Sequence, residues 1–203
     1  MATETEQVDF WFDPVCPWAW MTSRWVDEVA NQRGFQPQWH LMSLAVLNEG
    51  RELSPKYVEL MSRAHRLARF VNGVRVEAGD ESLKPLYDAI GSRIHPGGRA
   101  DFDQIMAESL SELSLDANLL RLADSDEYDD SLLENHHAGI TLVGEDVGTP
   151  IISVNGVAFF GPVISPAPTG EEALRLWDGI VAAAAYPGFF ELKRSRTVGP
   201  IFS

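Results

Sequence analysis

The 203-residue chain contains a single cysteine, Cys16. No intramolecular disulfide can form from one thiol. There is no Cys-x-x-Cys and no His-Glu-x-x-His, so no metal site is expected. Basic residues are scarce: Lys plus Arg is 16 against 30 Asp plus Glu, a formal net charge of −14. That balance excludes the basic face a nucleic acid would need and adhesion to an anionic membrane. No apolar run approaches the roughly 18 residues of a membrane span; "IVAAAA" is far too short. The N-terminal "MATETEQ" lacks the basic and apolar regions of a secretory signal. No glycine-rich loop ends in Lys-Ser or Lys-Thr, so the Gly148-Thr149-Pro150 string is not a phosphate loop. The resulting expectation is a cytoplasmic protein whose lone thiol stays reduced.

What is present is ordered along the chain. In "VDFWF", Val8, Phe10 and Phe12 alternate with Asp9 and Trp11, the period of a strand. Asp13 and Pro14 end it. Pro17 suits a first helical position, Trp18, Met21, Trp25 and Val29 follow at helical spacing, and Gly34 suits the C-cap. "QWHLMSL" predicts a second strand. Residues 51–143 change character: helical stripes run through Tyr57–Val71, "SLKPLYDAIGSRI" and Phe102–Leu113, with short helices through "DANLLRLA" and "DSLLENHHAGITLV". The last sixty residues return to β, with "PIISV" and "VAFF" joined by Asn155-Gly156, a strong hairpin signal, before the amphipathic "GEEALRLWDGIVAAAA". The order β-α-β, helical block, β-β-α is that of an α/β, thioredoxin-like fold with an α-helical insertion. It divides into a discontinuous thioredoxin-like domain, residues 1–50 and 144–203, and an insertion, residues 51–143.

The chemistry centres on "FDPVCPWAW", where Cys16 stands at the start of a helix. Unpaired N–H groups and the helix dipole favour a thiolate there, so its pKa is expected to fall. A thiolate is the nucleophile of disulfide exchange. The alternative is that Cys16 is a small core residue, as free cysteines commonly are. Pro150 precedes a strand; were its peptide bond cis, the Thr149 backbone would be turned towards a partner lying over the cysteine.

The blocks "VDFWFDPVCPWAW", "MSLAVLNE", "GSRIHPGG", "GEDVGTP", "VNGVAFFGP" and "FFELKRSRT" together resemble DsbA-like proteins of the thioredoxin superfamily. They are most similar to the cytosolic mycothiol-dependent oxidoreductases, or nitroreductases. Hydroxychromene-carboxylate isomerases and kappa-class glutathione transferases belong to the wider group. The resemblance implies a thioredoxin fold, a nucleophilic Cys16, a cis-proline loop at Thr149 and Pro150, and a low-molecular-weight thiol partner, mycothiol. It also implies that Trp18, Asn48, Tyr57 and His95 line the cleft; members of the family are often dimers, so a homodimer is one of the expected states. Pro17 belongs to the same motif, and His95 is a candidate acid–base group or hydrogen-bond donor.

Dithiol members of the family read Cys-Pro-Trp-Cys, whereas this chain has Ala19 in the last position. Alanine cannot resolve a mixed disulfide, so the expected route is a monothiol one, with an external thiol completing the cycle. Two alternatives stay open: a transferase-like or isomerase-like enzyme whose bound thiol does the chemistry, and a non-catalytic protein binding a flat ligand. Trp11, Trp18, Trp20 and Trp25 could form an aromatic wall for a flat aromatic substrate, with Trp18 the exposed one and Trp25 core. His136 and His137 are adjacent and diverge by about 100° on a helix. The run "DSDEYDD", 124–130, reads as a solvated helix start capped by Asp or Ser. Lys193, Arg194 and Arg196 could hold a carboxylate, or simply be a solvated basic tail.

Overall fold

In the computed structural model of the chain, residues 6–202 are described; most of "MATETEQ", on which the expectation of no secretory signal rests, lies outside them. The first strand, β1 (Val8–Phe12), leads through a tight turn into α1 (Pro17–Arg33) and then β2 (Gln38–Leu41). A single helical turn, α2 (Leu44–Leu47), precedes the helical block of α3 (Pro55–Ala78), α4 (Leu83–Ile94), α5 (Phe102–Glu112) and α6 (Asp129–Ile140). The chain closes with β3 (Ile151–Val154), β4 (Val157–Phe160) and α7 (Gly170–Ala184). Among the described residues no strand lies between β2 and β3.

The four strands form one sheet in the order β2-β1-β3-β4. β1 pairs parallel with β2 and antiparallel with β3, so Phe10 stands opposite both Trp39 and Ile152. The β3–β4 hairpin turns on Asn155 and Gly156, both left-handed at φ 51° and 84°, the conformation that keeps a two-residue turn in step with strand twist. Alternation along β1 sorts its side chains between two faces. Val8, Phe10 and Phe12 enter the main core with Trp25 of α1, Trp177 of α7 and the inserted helices. Trp11 joins Met42, Ile140 and Ile151 in a smaller cluster on the other face.

Three local expectations change. "DANLLRLA" is a 3-10 helix, Ala117–Asp124, rather than an α-helix. Its Leu119 and Leu122 stand three apart, eclipsed in that geometry, and Leu122 packs where a Cβ on Gly73 would come within 2.9 Å. The acidic run is not merely a solvated start capped by Asp or Ser. Tyr128 occupies the N-cap of α6 with no side-chain capping bond, while Asp124 pairs with Arg66 and Asp129 with Arg69, both on α3. The α2 turn has no apolar periodicity to announce it; Ser43 caps it by accepting the Val46 N–H.

Candidate active site

The end of β1 and the start of α1 place the thiol. Asp13 turns the chain: its carbonyl accepts the Cys16 N–H at 3.0 Å. Cys16 then takes the N-cap position with extended backbone, and Pro17 opens the helix. A donor-free proline is tolerated there because the first helical N–H groups have no intrahelical partner.

Cys16 Sγ is held by two backbone groups. It accepts the Ala19 N–H at 3.4 Å and donates its proton to the Thr149 carbonyl at 3.3 Å. The Thr149–Pro150 bond is cis. Two segments 133 residues apart thus meet at the sulfur.

The electrostatics differ from the sequence expectation. Burial pushes the Cys16 thiol above its ordinary pKa and outweighs the lowering by the Ala19 and Trp18 N–H groups at the helix start; the Asp13 charge adds to the rise, and donation to the Thr149 carbonyl favours the same protonated form. Helix-terminal N–H groups do converge on the sulfur, but only 5% of the residue is exposed, and desolvation of a thiolate is the larger effect. The resting group is a thiol.

Asp13 was not singled out from the sequence. It is fully buried, and its two carboxylate oxygens accept the Val15 N–H at 2.8 Å and the Leu44 N–H at 2.6 Å. Burial raises its pKa to about 6 despite those bonds. It thereby ties the Cys16 turn to α2.

His95 lies at the C-terminus of α4 and is 6% exposed. Its Nε2 lies 2.9 Å from the Pro14 carbonyl, an acceptor, so this nitrogen carries the proton. Burial lowers its pKa to about 4, leaving a neutral ring packed between Trp20 and Phe202. The acid–base role expected of it has no support in this arrangement, because the proton is committed to a backbone carbonyl.

Tyr57, in the first turn of α3, reaches the same region. Burial, then the charges of Asp13 and Cys16, push its phenol up. Asn48 is used locally: its side-chain amide donates to the Leu44 carbonyl at 2.7 Å. It lines a cleft of ≈ 520 Å³ between α2 and the α3–α6 pair, whose walls include neither Cys16 nor Tyr57. The structure therefore gathers Cys16, Pro17, Thr149 and Pro150, leaves Tyr57 within reach of their charge, and sets Asn48 in the cleft beside α2. Thr149 Oγ1 is buried beside the thiol without a hydrogen-bond partner.

The aromatic wall reduces to one residue. Trp25 is core, and Trp11 and Trp20 are buried; Trp18 alone is half-buried, with the Arg196 guanidinium 5.0 Å from its ring centre. His136 is buried and its Nδ1 lies 3.4 Å from the Ser43 N–H. No group of three metal-ligating side chains occurs among the described residues. No helix among them is long and apolar enough to cross a membrane.

A thiol capping the first helix of a four-stranded α/β sheet, opposed by the loop before β3, defines a thioredoxin-fold protein with helices inserted between β2 and β3. Solved structures agree on the fold. DsbA from Chlamydia trachomatis superposes with a TM-score of 0.59 at 11% identity, over 92% of this chain and 91% of its own. A 2-hydroxychromene-2-carboxylate isomerase gives 0.52 at 17%, over 88% and 95%. The family model of the mycothiol-dependent nitroreductase Rv2466c matches residues 15–194, and the chain belongs to that Rv2466c-like family. The Mycobacterium tuberculosis protein Rv2286c is 29% identical over 191 residues, spanning 94% of this chain and 82% of that protein.

Proposed function

We propose that the protein is a thiol–disulfide oxidoreductase that works through Cys16 alone, with an external low-molecular-weight thiol completing each cycle. The observation that carries this reading is the double contact of Sγ with the Ala19 N–H and the Thr149 carbonyl. Cys16 releases its proton to water, and its sulfur attacks the disulfide of a partner. The partner's S–S bond breaks, and the departing sulfur leaves with the electron pair as a thiolate. The Ala19 N–H stabilises the attacking anion, while Thr149 and Pro150 orient the incoming sulfur. Because Ala19 offers no second thiol, Cys16 stays in the mixed disulfide until an external thiol takes over its bond to the partner and frees it as a thiolate. Mycothiol, named by the family, would supply that thiol. The unpartnered Thr149 Oγ1 fits such a polar co-substrate, since a buried hydroxyl is stabilised by acquiring a hydrogen bond.

The other residues divide the supporting work. Pro17 starts the helix, Trp18 stands in its first turn beside the thiol, Tyr57 lies within reach of the thiolate's charge, and Asn48 lines the cleft beside α2. His95 is a positioning residue that fixes the Pro14 carbonyl two residues before the sulfur. Reliance on a reduced thiol pool suits a cytoplasmic location.

One observation favours a second reading. The Cys16 thiol is held protonated and acts as a donor, as it would if it hydrogen-bonded the sulfur of a bound thiol that does the chemistry. Exchange between mycothiol and a small disulfide, followed with wild type and Cys16→Ser, separates the two. Cys16 exchange predicts a Cys16 adduct in the wild-type intact mass and loss of the acceleration in the variant. Serine keeps a hydroxyl donor, so full acceleration by a folded Cys16→Ser would establish the second reading and overturn the first.

A further inference from the structure

The C-terminal tail supplies a residue that the mechanism so far leaves idle. Four cation–π pairs occur among the described residues: Arg24 on Trp20, Arg63 on Phe102, Lys84 on Trp39 and Arg196 on Trp18. In the first three the cation is also held by an oxygen. Arg24 pairs with Asp27 and Asp88, Lys84 with the same two carboxylates, and Arg63 donates to the Ala100 carbonyl. These are satisfied structural contacts. Arg196 alone has a guanidinium over a ring with no hydrogen-bond acceptor or carboxylate among the described residues, and its ring is that of the tryptophan two positions from the thiol.

The tail that carries it is held in place. Ser165 Oγ donates to the Gly199 carbonyl at 3.0 Å and accepts the Ile201 N–H at 2.9 Å. Phe202 packs on His95 and Phe189 on Phe159. A guanidinium held over a ring by its charge uses no carboxylate or carbonyl acceptor, so its N–H donors stay available to a carboxylate-like group. The molecule as a whole carries −14 and repels anions at long range, so a local cation is what an anionic partner would need near the sulfur.

We infer that Arg196, held over the Trp18 ring, is a specificity-determining residue that selects disulfide partners bearing a carboxylate or other acidic group. The inference rests on the proposed disulfide exchange at Cys16. In the selected reaction the anionic portion of the partner pairs with the guanidinium edge while Cys16 sulfur attacks its S–S bond. A Cys16–S bond forms, the second sulfur leaves as a thiolate, and the Cys16 proton passes to water.

Two chromogenic aromatic disulfides differing in charge test this: 5,5′-dithiobis(2-nitrobenzoate), a dianion, and neutral 2,2′-dithiodipyridine. The quantity read is the ratio of their second-order rate constants with Cys16 of the full-length protein. Arg196→Gln is expected to lower that ratio about five-fold, the size of a single partly exposed charge contact. Lys193→Gln and Arg194→Gln are expected to change it by less than about two-fold. An unchanged ratio in Arg196→Gln, or an equal fall with both reagents, would overturn the charge selection while leaving exchange at Cys16 standing. Failure of both reagents to modify Cys16 in the folded protein, with modification after unfolding, would instead overturn the exchange reading itself.

Discussion

At the residue scale the decisive competition is between desolvation and hydrogen bonding at one sulfur. The Ala19 and Trp18 N–H groups lower the Cys16 pKa, and burial together with the Asp13 charge raises it by more. A raised pKa delays thiolate formation as pH increases, so reactivity towards an alkylating agent should still be climbing at pH 8. Its midpoint should lie above the free-cysteine value of about 8.5. Iodoacetamide rates between pH 6 and 10 measure this, and a plateau already reached at pH 7 would contradict it. In Asp13→Asn the midpoint should move down, because a neighbouring negative charge is gone. The same variant should lose roughly 1–3 kcal/mol of stability, since one carboxylate oxygen becomes an amide group facing a backbone donor. The position of Cys16 at a helix start was legible from its proline neighbours. The direction of its pKa was not, because it depends on what covers the sulfur, and Thr149 lies 133 residues away. Asp13 was hidden for a related reason: Asp-Pro reads as an ordinary turn, and one of its N–H partners, Leu44, is distant in sequence.

At the scale of elements, α4 supports the thiol turn through a stack of rings. Trp20 of α1 lies against α4 where Gly91 leaves room, and a Cβ at that glycine would come within 2.2 Å of the indole. Trp20 in turn packs on His95, whose ring holds the Pro14 carbonyl. Gly91→Ala therefore pushes on a large, fully packed ring, an overpacking of the kind that costs about 1–3 kcal/mol. Thermal unfolding should fall by roughly 2–12 °C, taking 2–4 °C per kcal/mol for a chain of this size. The reactivity of Cys16 should change with it, because the displaced indole moves the support of Pro14. A variant with wild-type melting and wild-type alkylation rate would show that α4 does not buttress the site. The helices themselves were readable from apolar spacing, as was the hairpin from Asn155-Gly156. The need for glycine at 91 was not, since the spacing that marks a helix says nothing of which ring crosses it.

At the scale of the whole molecule, the division into a thioredoxin-like part and a helical insertion describes chain order more than physical independence. The main core draws together Phe10 and Phe12 of β1, Trp25 of α1, Leu67 and Phe70 of α3, Ile90 of α4, Ile105 of α5 and Trp177 of α7. Trp11 and Ile151 meet Ile140 of α6 on the other sheet face. A core shared so widely leaves neither part a hydrophobic interior of its own, so both should unfold in one cooperative step. The sequence provides two separate reporters. All six tryptophans (11, 18, 20, 25, 39 and 177) lie outside residues 51–143. Trp11 and Trp20 touch the insertion, whereas Trp25 and Trp177 pack on each other, so in a Trp11→Phe, Trp20→Phe background indole fluorescence follows the thioredoxin-like part. The longest helix, α3 with 24 residues, and three others of 11 or 12 lie in the insertion, so far-UV circular dichroism is weighted towards it. In urea the two signals should trace superimposable transitions with the same midpoint. If the ellipticity is lost before the fluorescence shifts, the insertion melts by itself, and the shared core does not couple the helices to the sheet that carries Cys16.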